Sequence, residues 1–376
     1  MFKQITSFKN LLRAYYQARR NKRTRTKLLK FELNFENRLI EIGKQLKDGS
    51  YRPKQYHRFL VYEPKLRRIS APALIDRVVH HAIVNVIEPV IDRQFTDHTF
   101  ACRKGKGGHL CLLKTVADYK EIAQKHKIFY ALKCDIKGYF SNIDHQILIN
   151  FLSQSIKCVK TLKLLTIIIG SYQDSPEKGI PIGNLTSQLF ANLYLHPLDV
   201  FVTQNLKEKS YFRYMDDFVV ISADKNYLID LRTKIKDFLE QELELQLHPK
   251  KSNIFRADRG LDFVGFMIKP SGVTKRKKTL RRYKKRHKRR LKRLKNYKNQ
   301  LKEKQRTVQL TLFDSNQIVN ADQEELTNKI EALQTKIRIS RNSFKGFLQY
   351  SQYKRLKSGG VEINGIIIPK IFPKKK

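Results

Sequence analysis

The chain has 376 residues, with 77 Lys and Arg against 34 Asp and Glu, a formal net charge of +43. A hydrophobic share of 41% excludes a disordered chain and is enough for two or three lobes sharing a large core. So large a cationic surplus opposes compaction unless a polyanion neutralises it, which makes nucleic acid the leading partner class.

The four cysteines, Cys102, Cys111, Cys134 and Cys158, stand far apart without a C-x-x-C pair, so reduced structural thiols are expected rather than zinc. The N-terminus lacks the apolar stretch of a secretory signal, and no run of eighteen apolar residues occurs. The expectation is a cytoplasmic protein with no membrane partner.

Residues 1–50 predict two helices rich in Lys and Arg, ending near Gly49. Short extended pieces follow at residues 59–62 and 68–70. Asp76 is expected to cap a helix reaching Val90, since DRVVHHAIVNVIEPV carries apolar residues at helical spacing. Gly105, Gly107 and Gly108 mark a turn before a helix over 109–126. The run FYALKCDI at 129–136 predicts a buried strand, and a helix follows from near Asp144. Residues 184–199 predict a helix, 211–222 a β-hairpin with acids at its turn, 226–243 a helix and 261–268 a strand. This order implies an α+β core with a palm-like antiparallel sheet.

Composition shifts after Gly272. Residues 275–306 hold nineteen Lys and Arg and one acid, Glu303. Within them Leu280, Tyr283, His287, Leu291, Leu294, Tyr297 and Leu301 recur at three- and four-residue spacing, one apolar stripe on a cationic helix. A solvated face is the plain alternative; the charge density favours a helix that tracks nucleic acid. Residues 307–322 are polar without helical period and predict a linker. Helices over 323–340 and 343–356 and a basic tail complete the chain.

Nucleotide addition needs an activated 3′-hydroxyl and a neutralised pyrophosphate, which two magnesium ions held by carboxylates from different strands supply. Asp135 ends an apolar strand, where an uncompensated charge is costly. Asp216 and Asp217 lie between two apolar runs about 80 residues later. An Asp-Asp pair alone would mark an ordinary hairpin turn. Together with Asp135 and the net charge, it points to a metal site.

Tyr214-Met215-Asp216-Asp217 resembles the catalytic box of reverse transcriptases, and Asp135-Ile136-Lys137-Gly138-Tyr139-Phe140 followed by Ile143-Asp144-His145 resembles their first catalytic motif. The resemblance runs from Tyr51 to Phe266 and more weakly to Leu356. It implies a right-hand polymerase: N-terminal region and fingers at 1–128, palm at 129–272 with part of the fingers at 146–180, a basic helical thumb at 273–357 with linker 307–322, and a basic tail at 358–376. It also implies that Asp135 and Asp216 ligate both metals, the Ile136 carbonyl assists one, and Asp217 supports them. Phe140 takes the place of an aromatic gate against a ribose 2′-hydroxyl; a core Phe is its plainer role. Lys65 and Arg67, with Arg68 as a substitute for the latter, match residues that grip the triphosphate. Lys251, with Lys250 competing, matches the lysine that protonates pyrophosphate. Leu261–Phe266, LDFVGF, resembles the primer grip, with Phe263 and with Gly265 permitting close backbone approach.

The segment GIPIGNLTSQLFANLYLHPLD at 179–199 resembles the reverse transcriptases of diversity-generating retroelements. Most bacterial reverse transcriptases have Pro-Gln-Gly where this chain has Pro181-Ile182-Gly183, and lack the Ser187-Gln188 pair. With Gly183 and Gln188, Ile182 would line the nucleotide site. An Ile there can only pack, and losing an amide contact weakens discrimination by about 1 kcal/mol. The resemblance implies error-prone copying of a template-repeat RNA at adenines, an RNA/cDNA duplex, deoxynucleotide substrates and a pentameric accessory variability protein. Gln309-Leu310-Thr311-Leu312-Phe313 resembles the pentapeptide that binds the bacterial sliding clamp; LTLF packing as a strand or thumb loop is the plainer alternative. Rival readings are a group II intron-type maturase, an antiphage-defence reverse transcriptase and a non-enzymatic basic RNA-binding scaffold. His80, His81 and His145 have no metal-ligand partner at convincing spacing and are expected to be structural or phosphate-side residues.

Overall fold

The computed structural model of the chain describes residues 1–20, 31–62, 66–310, 316–349, 354–355, 361–363 and 366–368. They divide into two units, Met1–Asp258 and Arg259–Lys376.

The first unit opens with helices α1 (Phe2–Ile5), α2 (Phe8–Arg19) and α3 (Phe35–Asp48). Gly49 ends α3 at φ +80°, a left-handed conformation that glycine adopts without steric cost. Strands β1 (His57–Val61) and β2 (Arg67–Ala71) form an antiparallel hairpin. The long apolar helix α4 (Leu74–Asp92) follows, then α5 (Gly108–Lys125). The predicted buried strand is β3 (Tyr130–Asp135). After it come α6 (His145–Ser155), α7 (Val159–Gly170), α8 (Leu185–Tyr194) and α9 (His196–Val200). The helix expected from near Asp144 is α6, and Asp144 caps it, accepting from Ile147 N at 3.0 Å. The hairpin β4 (Tyr211–Tyr214) and β5 (Asp217–Ser222), helix α10 (Lys225–Leu243) and strand β6 (Asn253–Arg256) complete the unit.

Four strands form one antiparallel sheet in the order β4-β5-β3-β6. Leu132 and Cys134 of β3, Phe218 and Val220 of β5, and Leu228, Leu231, Ile235 and Leu239 of α10 are all fully buried in one core. Burying each large apolar side chain contributes about 1.5–3 kcal/mol, so this layer rigidly fixes where β3 and β5 end. The outer edge of β4 is covered: Arg213 N donates to His98 O at 2.9 Å and Phe100 N to Arg213 O at 3.0 Å.

The second unit contains a separate antiparallel sheet, β7 (Leu261–Phe263), β8 (Phe266–Lys269) and β9 (Gly272–Lys275). Helices α11 (Lys277–Leu310) and α12 (Asn316–Gln349) pack on each other, and short strands β10 (Lys354–Arg355), β11 (Val361–Ile363) and β12 (Ile366–Ile368) pair in a small sheet. The predicted stripe on α11 is half-buried apart from Leu291. Tyr283 from that stripe stacks on Phe344 of α12 with ring centroids 3.5 Å apart. Lys284, Lys285, Lys288 and Lys292 stay exposed.

The α+β class holds, while several element boundaries differ from expectation. Asp76 does not cap α4, which starts two residues earlier. Instead it is buried, accepting from Tyr51 Oη at 2.9 Å and Lys54 N at 3.1 Å. Pro197 starts a new helix within 184–199, because it lacks the N–H that would continue α8. The expected strand over 261–268 is a tight hairpin broken at Val264 and Gly265, both at positive φ. The linker expected at 307–322 is helical up to Leu310 and from Asn316 onward, where α11 and α12 extend into a stretch that holds no Gly or Pro to stop them. The helices expected at 323–340 and 343–356 are one element, α12, which runs unbroken through Arg341 and Gly346 and ends its described span at Gln349, while Lys354–Arg355 is a strand and not the end of a helix.

Candidate active site

The acids converge because of strand register. Asp135, last residue of β3, lies directly opposite Asp217, first residue of β5, and Asp217 also pairs with Tyr214 of β4. Met215 and Asp216 form the two-residue turn between β4 and β5. Met215 takes φ +61° there, as primed hairpin turns require at their first central position, at a steric cost for any residue with a Cβ.

Like charges directly opposite on a sheet repel, by about 0.2–1 kcal/mol for an exposed pair and more when desolvated. Two lysines offset this. Lys251 Nζ donates to Asp135 Oδ2 at 2.8 Å. Lys133 sits two residues before Asp135, hence on the same face of β3, and its Nζ lies 3.3 Å from Asp217 Oδ2. The loop bearing Lys251 is tied down by His248 N, which donates to Asp135 O at 2.7 Å, and by Lys137 N, which donates to Gln246 O at 2.9 Å.

Burial pushes the Asp217 carboxyl up to about 6, against the pull of Lys133 and with smaller contributions from Asp135 and Asp216. Burial likewise raises Asp216, reinforced by Asp135 and opposed by Lys251 and Arg67. Thus all three acids share one electrostatic site, and the Arg67 guanidinium reaches it from β2. Among the described residues no three His, Cys, Asp or Glu side chains form a closed metal cluster. The donor set nevertheless fits a hard divalent cation: carboxylate oxygens from two strands and a turn, with Asp217 Oδ1 buried and without a hydrogen-bond partner.

The structure places the other expected site residues on several elements. Ile136 is buried beside Leu247, bridging β3 to the Lys251 loop. Phe140 lies in a short 3-10 turn after Gly138, and its carbonyl accepts from Ile180 N at 2.8 Å, which ties that turn to the segment leading into Ile182. Ile182 is half-buried and Gly183 exposed at φ +110°. A Cβ on Gly183 would lie 3.7 Å from Ile69 Cγ2, so this loop runs against β2 two residues from Arg67. Gln188 is half-buried on α8. Phe263 is buried, and Gly265 turns the β7–β8 hairpin at φ +90° with its carbonyl accepting from Arg276 N at 3.2 Å; both belong to the second unit. Lys65, Leu312 and Phe313 lie outside the described residues, and Gln309 and Leu310 end α11.

Two histidines are structural. His80 Nδ1 is 2.8 Å from Thr186 Oγ1, and burial lowers its imidazole to about 4; His145 Nε2 is 2.8 Å from Gly179 O. Sequence reasoning missed Lys133, His248, Asp199 and Arg213. The only available signal for Lys133 was its two-residue offset from Asp135, which places both on one strand face.

Residues 53–268 match the family model described as reverse transcriptase (RNA-dependent DNA polymerase). Among curated proteins, the group II intron-encoded protein LtrA of Lactococcus lactis subsp. cremoris is 24% identical over 314 residues, covering 64% of this chain and 51% of LtrA. Protein YkfC of Escherichia coli K12 is 25% identical over 267 residues, covering 60% of this chain and 69% of YkfC. The chain therefore spans about half the length of the intron-encoded relative. Among solved structures, apo telomerase from Candida tropicalis, truncated from its C-terminal domain, aligns with TM-score 0.46 and 13% identity over 62% of this chain and 58% of that one.

Proposed function

Because the chain belongs to the reverse transcriptase (RNA-dependent DNA polymerase) family, we propose that it copies RNA into DNA at the site formed by Asp135, Asp216 and Asp217. The observation that carries this is the β3–β5 register, which sets Asp135 against Asp217 with Asp216 in the adjoining turn. Two magnesium ions, held by these carboxylates with help from the Ile136 carbonyl, would lower the pKa of the primer 3′-hydroxyl and neutralise the leaving pyrophosphate. Arg67, together with Lys65, would bind the triphosphate. Lys251 stands close enough to Asp135 to deliver a proton within the same site. Phe140 and Ile182 would bound the nucleotide, with Gly183 allowing the loop its turn at φ +110° and Gln188 beside them. Residues 1–128 would act as fingers, 129–272 as palm with part of the fingers at 146–180, and 273–357 as thumb, with Phe263 and Gly265 gripping the primer.

Among reverse transcriptases, the finer reading is an error-prone copier of a diversity-generating retroelement, using a template-repeat RNA and a pentameric accessory protein. The apolar, half-buried Ile182 and the Ser187-Gln188 pair support it. An intron-type role is favoured by the likeness to LtrA. Sequencing cDNA made on a defined RNA template separates them: errors concentrated opposite adenine support the first, and uniformly low error supports the second. Recruitment by a sliding clamp through Gln309–Phe313 is a further part of the proposal. Equal clamp binding by wild type and Leu312→Ala/Phe313→Ala, or none by either, would refute it.

A further inference from the structure

Arg213, the residue before Tyr214, is fully buried, and so is its partner Asp199 in the short helix α9. A guanidinium survives such burial only when its donors are met. Here Nε donates to Asp199 Oδ1 at 2.6 Å and Nη2 to Asp199 Oδ2, a bidentate pair. Nη1 donates to Asn192 Oδ1 at 3.3 Å and to the Met215 carbonyl at 3.0 Å. Asp199 is itself anchored, accepting from Tyr211 Oη at 2.8 Å and from Thr99 Oγ1 at 2.6 Å.

The contact to Met215 is the informative one. An apolar side chain would fill the Arg213 volume without its desolvation cost, so core packing gives no reason for a guanidinium. Only a planar fork reaches Asp199 and the turn carbonyl at once, which lysine cannot do. Met215 is also the residue whose backbone is strained at φ +61°, and Asp216 follows it directly. Strained turns persist where surrounding structure holds them.

We propose that Arg213 is a positioning residue: anchored on Asp199, it holds the Met215 carbonyl and thereby fixes the turn that carries Asp216. The proposal rests on the reading of Asp216 as part of the polymerase site.

Two variants separate positioning from stability. Arg213→Lys keeps the charge and loses the fork. Arg213→Met with Asp199→Asn removes both buried charges while leaving an amide for Tyr211 and Thr99. In whichever variant folds, kcat for RNA-templated primer extension should fall about ten- to a hundred-fold with KM for the nucleotide unchanged. Amide hydrogen exchange over residues 211–218 of the metal-free protein should quicken. A folded variant with wild-type kcat, or with wild-type exchange over that segment, overturns the proposal. Failure of both variants to fold also overturns it, since the pair is then purely structural. An inactive wild type would instead sink the polymerase reading, and this proposal with it; the two failures are told apart by the wild-type lane alone.

Discussion

Lys251 Nζ lies 2.8 Å from Asp135 Oδ2, whereas Lys250, one residue earlier, is exposed and uses its backbone N–H on His248 Nδ1 at 3.2 Å. The turn at His248, which also receives Lys251 N and Ser252 N on its carbonyl, decides which lysine faces the acids. Lys251→Ala should therefore lower kcat about a hundred-fold, as losing a proton donor and charge partner does, while Lys250→Ala stays within about two-fold. Steady-state extension with each variant measures this; equal losses would contradict it.

Asp118 on α5 provides a test by pH. Burial raises its carboxyl to about 6, opposed by the Ser210 hydroxyl, which donates to Oδ2 at 3.2 Å, and assisted by Glu121. The folded chain thus holds this proton more tightly than the unfolded chain, whose carboxyl titrates near about 3.9. Stability falls as pH rises from about 4 to 6, and the full penalty applies above that. Asp118→Asn should stabilise the protein at pH 7 by about 1 kcal/mol, with the gain vanishing near pH 4. Melting curves at both pH values check it, and an equal shift at each would contradict it.

Ile182 offers no hydrogen bond to a nucleotide or template base. Ile182→Gln should cut misincorporation opposite template adenine several-fold, a difference of about 1 kcal/mol, with correct incorporation retained. Error counts from sequenced cDNA decide it, and an unchanged adenine spectrum would remove Ile182 as the cause.

The exposed lysines of α11 oppose its Tyr283 packing face. If they contact phosphates, replacing Lys284, Lys285 and Lys288 with Ala should reduce the slope of log affinity against log salt by about 2–3. An unchanged slope for an RNA/DNA duplex would mean that these charges face solvent only.

Strand β3, the β4–β5 hairpin, the start of α6 near Asp144 and the grouping of the three acids were legible because apolar runs, polar helix starts and adjacent carboxylates are local patterns. Arg213 was not. The hairpin expected at 211–222 says nothing of its partners, and only the fold brings Asp199, Asn192 and Thr99 around it. Asp76 misled for the same reason: its position suits a helix cap, yet the Tyr51 hydroxyl reaches it from 25 residues away. The Lys251-over-Lys250 choice was likewise open in sequence and depends on a turn whose anchor is the Asp135 carbonyl.

The central claim is that Asp135, Asp216 and Asp217 form a polymerase site. Primer extension on an RNA template with magnesium, comparing wild type with Asp216→Asn, tests it most directly. Extension by the wild type and a loss of about a thousand-fold or more in the variant is the predicted result. Equal extension by both proteins would contradict it.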